Sequence, residues 1–100
     1  MAQVWRLKLT YSARSLRHLD AIFEHIVADD PNAAMRVIGS IRAACDRLAR
    51  FPHLGRAGDR LGTREWSMPR LPYVVVYRAD IAARELGILA IFHTRRGRTG

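Results

Sequence analysis

Two helical stripes joined by three residues constrain this chain more than any other feature. Leu16, Leu19, Ile22, Phe23, Ile26 and Val27 recur at the spacing of one helix face, and Val37, Ile38, Ile41, Ala44, Cys45 and Leu48 do so again. Between them stands Asp29-Asp30-Pro31. Asp30 is suited to cap a second helix, and Pro31 to open it, where its missing N–H is not needed. So short a junction implies an antiparallel helical hairpin. Ser12 is expected to cap the first helix, with Tyr11 and Leu16 placed as a hydrophobic staple, and that helix should run to about Ala28. The second should end at Phe51-Pro52.

The rest of the chain reads as a sheet for the hairpin to lie on. Residues 4 to 10 alternate strictly, with Trp5, Leu7 and Leu9 on one side and Arg6, Lys8 and Thr10 on the other, which predicts a half-buried first strand. The stretch PHLGRAGDRLG, residues 52 to 62, holds a proline and glycines throughout and is expected to be a loop. Strands are expected over Thr63 to Met68, Tyr73 to Ala79 and Glu85 to His93, rich in β-branched and aromatic residues and close enough in sequence to form an antiparallel meander. The predicted class is α+β in the order β-α-α-β-β-β: an N-terminal strand, the helical hairpin, then a three-strand antiparallel meander.

Length suits a single domain over residues 1–100, with no internal repeat or linker. The longest apolar runs are far too short to cross a bilayer, and the N-terminal stretch mixes charge with apolar residues instead of building the core of a signal peptide. A cytoplasmic location is therefore expected. Cys45, the single cysteine, falls on the apolar stripe of the second helix and is expected in the core. Charge is more telling: 17 basic against 9 acidic residues leave a net +8, and nearly all the basic residues are arginine. Such an excess implies an acidic partner, either nucleic acid or an acidic protein segment, because the planar guanidinium matches phosphate and carboxylate alike.

Metal and phosphate motifs are weak. His18 and His25 lie seven residues apart, roughly 10 Å along a helix axis, too far to share an ion, so no metal and no cofactor is expected. Gly55-Arg-Ala-Gly58 lacks the Gly-Lys-Ser/Thr ending of a phosphate loop and reads as a structural turn. Strand alternation offers more. It places Arg64 with Trp66 and Met68, Arg78 with Val74 and Val76, and His93 with Gly87, Leu89 and Ile91, so that Arg64, Arg78, His93, Arg95 and Arg96 could meet near one sheet edge. An imidazole among guanidiniums is what RNA cleavage by 2′-OH attack would use, and equally what docking of an acidic peptide would use. The structural alternative is that Arg64 pairs Glu85 or Asp80 across strands and Arg78 is solvated. Strand aromatics, Trp5, Trp66, Tyr73, Tyr77 and Phe92, could stack bases only on a sheet face left free by the helices. The outward faces of the helices carry a surplus of arginines that could receive an acidic amphipathic helix.

The ordered pieces "LRHLDAIFEHI", Pro31-Asn32-Ala33-Ala34, "LARFPHLGR", "GTREWSM", "LPYVVVYRAD" and "ILAIFHTRR" resemble the ParE branch of the RelE/ParE toxins of type II toxin–antitoxin systems, over about residues 3 to 96. The resemblance implies a small basic toxin neutralised by an antitoxin whose C-terminal segment wraps around it. The ParE branch is associated with inhibition of DNA gyrase and the RelE branch with ribosome-dependent mRNA cleavage; a shared fold does not choose between them. RelE-type nucleases carry lysines on the strand that holds Glu65 and Ser67 here, an arginine where Val74 stands, and after the last strand an arginine, matched by Arg95, and a tyrosine, which is missing. The departures point to a toxin that binds its target, gyrase, through Arg64, Arg78, His93, Arg95 and Arg96. Trp5, Leu16, Arg17, Arg36 and Arg42 are expected to meet the antitoxin, and nucleic acid would be contacted through the target. The alternative is an endoribonuclease using His93 with Arg95, Arg78 and Arg64.

Overall fold

The computed structural model describes residues 5–95. Strand β1 (Lys8–Tyr11) leads into helix α1 (Ala13–Val27) and helix α2 (Pro31–Arg50), followed by β2 (Arg56–Ala57), β3 (Arg64–Ser67), β4 (Tyr73–Asp80) and β5 (Glu85–His93). The expected helical hairpin is present, and its caps are those the sequence offers. Ser12 Oγ accepts from the Ser15 N–H at 3.0 Å and Asp30 Oδ1 from the Ala33 N–H at 3.0 Å. Each occupies an otherwise orphaned donor of a first helical turn. Of the two residues placed for a staple, Leu16 stays 45% exposed, while Tyr11 lies beneath the Arg42 guanidinium, 5.2 Å from ring centre to Cζ.

The sheet runs β1-β5-β4-β3-β2. The meander of β3, β4 and β5 is antiparallel as expected, but β1 joins the last strand in parallel, from Lys8 opposite Glu85 to Tyr11 opposite Ile88, so the sheet is mixed. Its start is also later than the alternation implies. Strand β5 offers nothing to pair with before Glu85; ahead of Lys8 the chain turns to α2 instead, where the Leu7 N–H donates to the Ala49 carbonyl at 2.9 Å. Leu7 is fully buried there, whereas Trp5, expected on the same inner face, is 47% exposed. The glycine-bearing segment is not all loop either, because β2 inside it pairs with β3, Arg56 opposite Glu65.

Leu19 from α1 and Ile41, Cys45 and Leu48 from α2 pack with Val75, Tyr77, Leu86, Ile88 and Ile91 from one sheet face. Cys45 is a core residue, as expected, and burial pushes its thiol up to about 11. One irregularity decides which strand residues reach this core. Val76 is opposite Ala90 but Tyr77 is opposite Ile88, so Leu89 is an extra residue, a β-bulge. The bulge reverses the alternation of β5. Leu86 and Ile88 before it and Ile91 after it all face the helices, and His93, opposite Tyr73, follows Ile91. The sequence-based face of Gly87, Leu89, Ile91 and His93 is therefore corrected: Gly87 faces away beside Arg78.

Candidate functional site

Two grooves open at opposite ends of β4. The first lies between α1 and the end of β5, has a volume of about 510 Å³, and is walled by His18, His25, Tyr73, Phe92, His93 and Arg95. Above Ile88 the outer edge of β5 has no partner from β1, and the cap residue of α1 and a side chain on the helix take its place. Ser12 Oγ donates to the Leu89 carbonyl at 3.1 Å, and the Ile91 N–H donates to His18 Nδ1 at 3.0 Å. Burial, with the Arg14 and Arg17 guanidiniums, lowers the His18 pKa from the ordinary imidazole value, which keeps the ring neutral and able to accept. His93 stands edge-on to the Tyr73 ring at 5.5 Å, and its Nδ1 accepts from the Arg95 N–H at 3.1 Å.

The second groove, about 490 Å³, lies where α2 ends and is apolar, formed by Trp5, Phe51, Pro52, Leu54 and Ile81 with Arg50 and His53 at its rim. Its floor is held by the buried Tyr77 hydroxyl, which donates to the Pro52 carbonyl at 2.7 Å and accepts from the Gly55 N–H at 2.9 Å. A Cβ on Gly55 would lie 2.7 Å from that hydroxyl oxygen, so the close approach requires glycine. Arg64 completes the clamp: its guanidinium donates to the Gly55 carbonyl at 2.7 Å and lies 3.4 Å from His53 Nδ1.

This geometry disperses the arginine and histidine cluster expected from alternation. His93 is opposite Tyr73, whereas Arg64 is opposite Tyr77, four residues or roughly 13 Å further along β4. Arg78 projects from the other sheet face and donates to the Leu61 carbonyl at 3.4 Å. Only His93 and Arg95 stay together. Arg96 lies outside the described residues. Nor does Arg64 turn to Glu85 or Asp80; those two are opposite one another, and the cross-strand ion pair near Arg64 is Arg56 with Glu65, at 3.8 Å. The residues expected to meet an antitoxin also separate. Trp5 belongs to the apolar groove, while Leu16, Arg17, Arg36 and Arg42 are exposed on the helices.

Sequence reasoning passed over His18 and His25 because it asked only whether they could share a metal. His18, Ile22 and His25 fall on one helix stripe, and that spacing was the available signal that both face one groove. Phe51, Leu54 and Ile81 were missed because their convergence depends on where α2 ends and how β4 turns into β5. Among the described residues no group of three or more His, Cys, Asp or Glu side chains could hold a metal ion, and no helix is long and apolar enough to cross a membrane.

Residues 9–98 match the family model described as the ParE toxin of the type II toxin–antitoxin system parDE. The chain belongs to the ParE toxin family. It is 38% identical over 91 residues to the candidate toxin Y4kP of Sinorhizobium fredii, covering 91% of this chain and 92% of that protein. Among solved structures, the chromosomal ParDE toxin–antitoxin system of P. aeruginosa is similar with a TM-score of 0.78 at 24% identity, over 88% of this chain and 96% of that one. The RelBE2 toxin–antitoxin complex of Mycobacterium tuberculosis follows with a TM-score of 0.67 at 18% identity, over 93% and 97% of the two chains. The intact E. coli RelBE complex aligns with a TM-score of 0.64 at 9% identity, over 85% and 93%. These likenesses establish the RelE/ParE fold. Glu65, Ser67 and Val74 share the sheet face turned away from the helices, and His93 is on the other face.

Proposed function

We propose that this type II toxin acts by binding a large cellular target, DNA gyrase, and not by cleaving RNA, and that an acidic antitoxin holds it inactive. The observation that carries this reading is the separation of the groups a nuclease would need. The imidazole of His93 lies on the helix-facing side, the Arg64 guanidinium is engaged with the Gly55 carbonyl, and Glu65, Ser67 and Val74 occupy the opposite face. Phosphoryl transfer needs several charge-stabilising cations around its acid or base. Arg95 stays beside His93, but Arg64 is roughly 13 Å away and Arg78 is on the other sheet face, which leaves His93 with one of the described arginines expected around it. Occlusion or stabilisation of a DNA–gyrase intermediate needs only a complementary surface. The exposed Arg78, with His93, Arg95 and Arg96, would make the target contact; Arg64 would hold the Pro52–Gly55 turn behind it.

A net charge of +8 favours an acidic antitoxin, and two surfaces suit one. Exposed Leu16, Arg17, Arg36 and Arg42 on the helices would receive an acidic helical face, and the groove at Trp5 would take apolar anchors. The test is a supercoiling assay with gyrase run beside an RNA-cleavage assay on translating ribosomes, using the purified protein with and without its antitoxin. Inhibition of supercoiling without RNA cleavage is the expected result. RNA cleavage lost on His93→Ala or Arg95→Ala would replace this reading with the endoribonuclease one.

A further inference from the structure

Among the described residues, the groove between α1 and the end of β5 is lined by hydrogen-bond donors and by no carboxylate. His18, His25, Tyr73, His93 and Arg95 provide its polar atoms, and Ile22, Ile91 and Phe92 its apolar walls. Backbone groups orient two of the three imidazoles, since His18 accepts the Ile91 N–H and His93 the Arg95 N–H, both at Nδ1. A neutral imidazole that accepts at Nδ1 carries its proton on Nε2, so each of these rings is left with one N–H to donate. Arg95 adds a guanidinium and Tyr73 a hydroxyl. A volume of about 510 Å³ falls within the range of small-ligand sites and exceeds what one carboxylate side chain would fill. A phosphate monoester presents three acceptor oxygens to such a set of donors, more than a carboxylate does. The Phe92 ring, 5.5 Å from His18 and capped by the Arg14 guanidinium at 5.6 Å, and the Tyr73 ring supply flat apolar walls for an attached planar body.

We propose that this groove binds a nucleoside monophosphate unit, with the phosphate taken by His25, His93 and Arg95 and the base laid against Phe92 and Tyr73. The site shares His93 and Arg95 with the proposed target contact, but small-ligand binding by the purified chain is read without gyrase or antitoxin and stands or falls separately. The unit could be a free nucleotide or the phosphorylated end of a strand, which share this chemistry.

The test is calorimetric titration and amide NMR on the full chain at constant low salt, with inorganic phosphate, adenosine, adenosine 5′-monophosphate, N-acetylglutamate, and a trinucleotide with and without a 5′-phosphate. The monophosphate should bind at least about tenfold tighter than phosphate or adenosine alone and should shift the amides of Ile91 to Arg95. His25→Gln combined with Arg95→Gln should weaken it about tenfold or more, with thermal unfolding unchanged. Arg60→Gln, a cationic position away from the groove, should change it by less than about twofold. A 5′-phosphorylated trinucleotide that equals the monophosphate assigns the site to strand ends, and one that binds more weakly assigns it to free nucleotides. The proposal is overturned if phosphate alone binds as well as the monophosphate, if N-acetylglutamate matches it, or if Arg60→Gln costs as much as the groove variant.

Discussion

The two grooves at opposite ends of β4 are similar in volume and unlike in chemistry. At the Tyr73 end, polar side chains at the cap and on the face of α1 stand in for a missing strand: Ser12 and His18 bond the bare upper edge of β5, and the surrounding wall is made of imidazoles and a guanidinium. At the Tyr77 end, the polar groups are consumed internally. The Tyr77 hydroxyl and the Arg64 guanidinium are both bonded to the turn after α2, and the surface left over is apolar. The contrast shows how one buried network selects a neighbouring surface: where hydrogen bonds close on the backbone, aromatic and aliphatic side chains are left to meet a partner. Where they remain half open, the groove keeps donors for an anion.

The strongest way to break this contrast is to open the Tyr77 clamp. Tyr77→Phe removes the partner of two buried backbone groups, and a loss of about 2–4 kcal/mol in urea-unfolding stability is expected. A loss under about 1 kcal/mol would mean that the turn does not depend on the hydroxyl. Next in size is the apolar surface itself. Trp5→Ala with Phe51→Ala should weaken antitoxin binding by roughly 30-fold or more, about 2 kcal/mol, while shifting the unfolding free energy far less, because both rings are about half exposed. Binding that survives the pair intact would remove that groove from the antitoxin surface. Arg64→Gln should cost about 1–2 kcal/mol through its charge-assisted bond to the Gly55 carbonyl, and Arg64→Lys should recover only part of it, since an ammonium cannot span Gly55 and His53 as a planar fork does.

The opposite end is probed by pH. His18 is lowered by burial first and by Arg14 and Arg17 after it, with Phe92 against its ring and His25, His93 and Arg95 around the same groove. The unfolded chain therefore takes up this proton more readily than the folded one. This contribution to stability is fully present above the ordinary value of 6.5 and is lost as pH falls through it toward the folded value. Melting temperature should fall on acidification from neutral pH, and His18→Gln, which can still accept the Ile91 N–H, should flatten the part of the slope below neutrality. An unchanged slope would place the sensitivity elsewhere. The smallest effect is expected at Arg78, which is exposed on the far sheet face: Arg78→Ala should alter stability by less than about 0.5 kcal/mol. Its loss should instead appear in gyrase inhibition.

Local signals carried much of the fold. Helical stripes, Ser12, Asp30 and Pro31 marked both helices to within a residue or so, and three of the strands were legible from β-branched runs. The helix periodicity also contained, unread, the alignment of His18 with His25. What alternation could not supply was the bulge at Leu89. One extra residue reverses every side chain after it, so His93 moved to the helix-facing side and away from Arg78. Likewise, the period of residues 4 to 10 could not reveal that β5 begins only at Glu85, which leaves Trp5 outside the sheet beside Phe51, Leu54 and Ile81.

Sequence by itself determined the class of fold, the toxin family, the surplus of arginine and the caps that set the hairpin, because these depend on contacts within a few residues or on composition. Tertiary structure alone decided which arginines and histidines become neighbours. That outcome depends on strand register, on a bulge and on which backbone groups remain unpaired at a strand edge, and none of these is a local property of the chain.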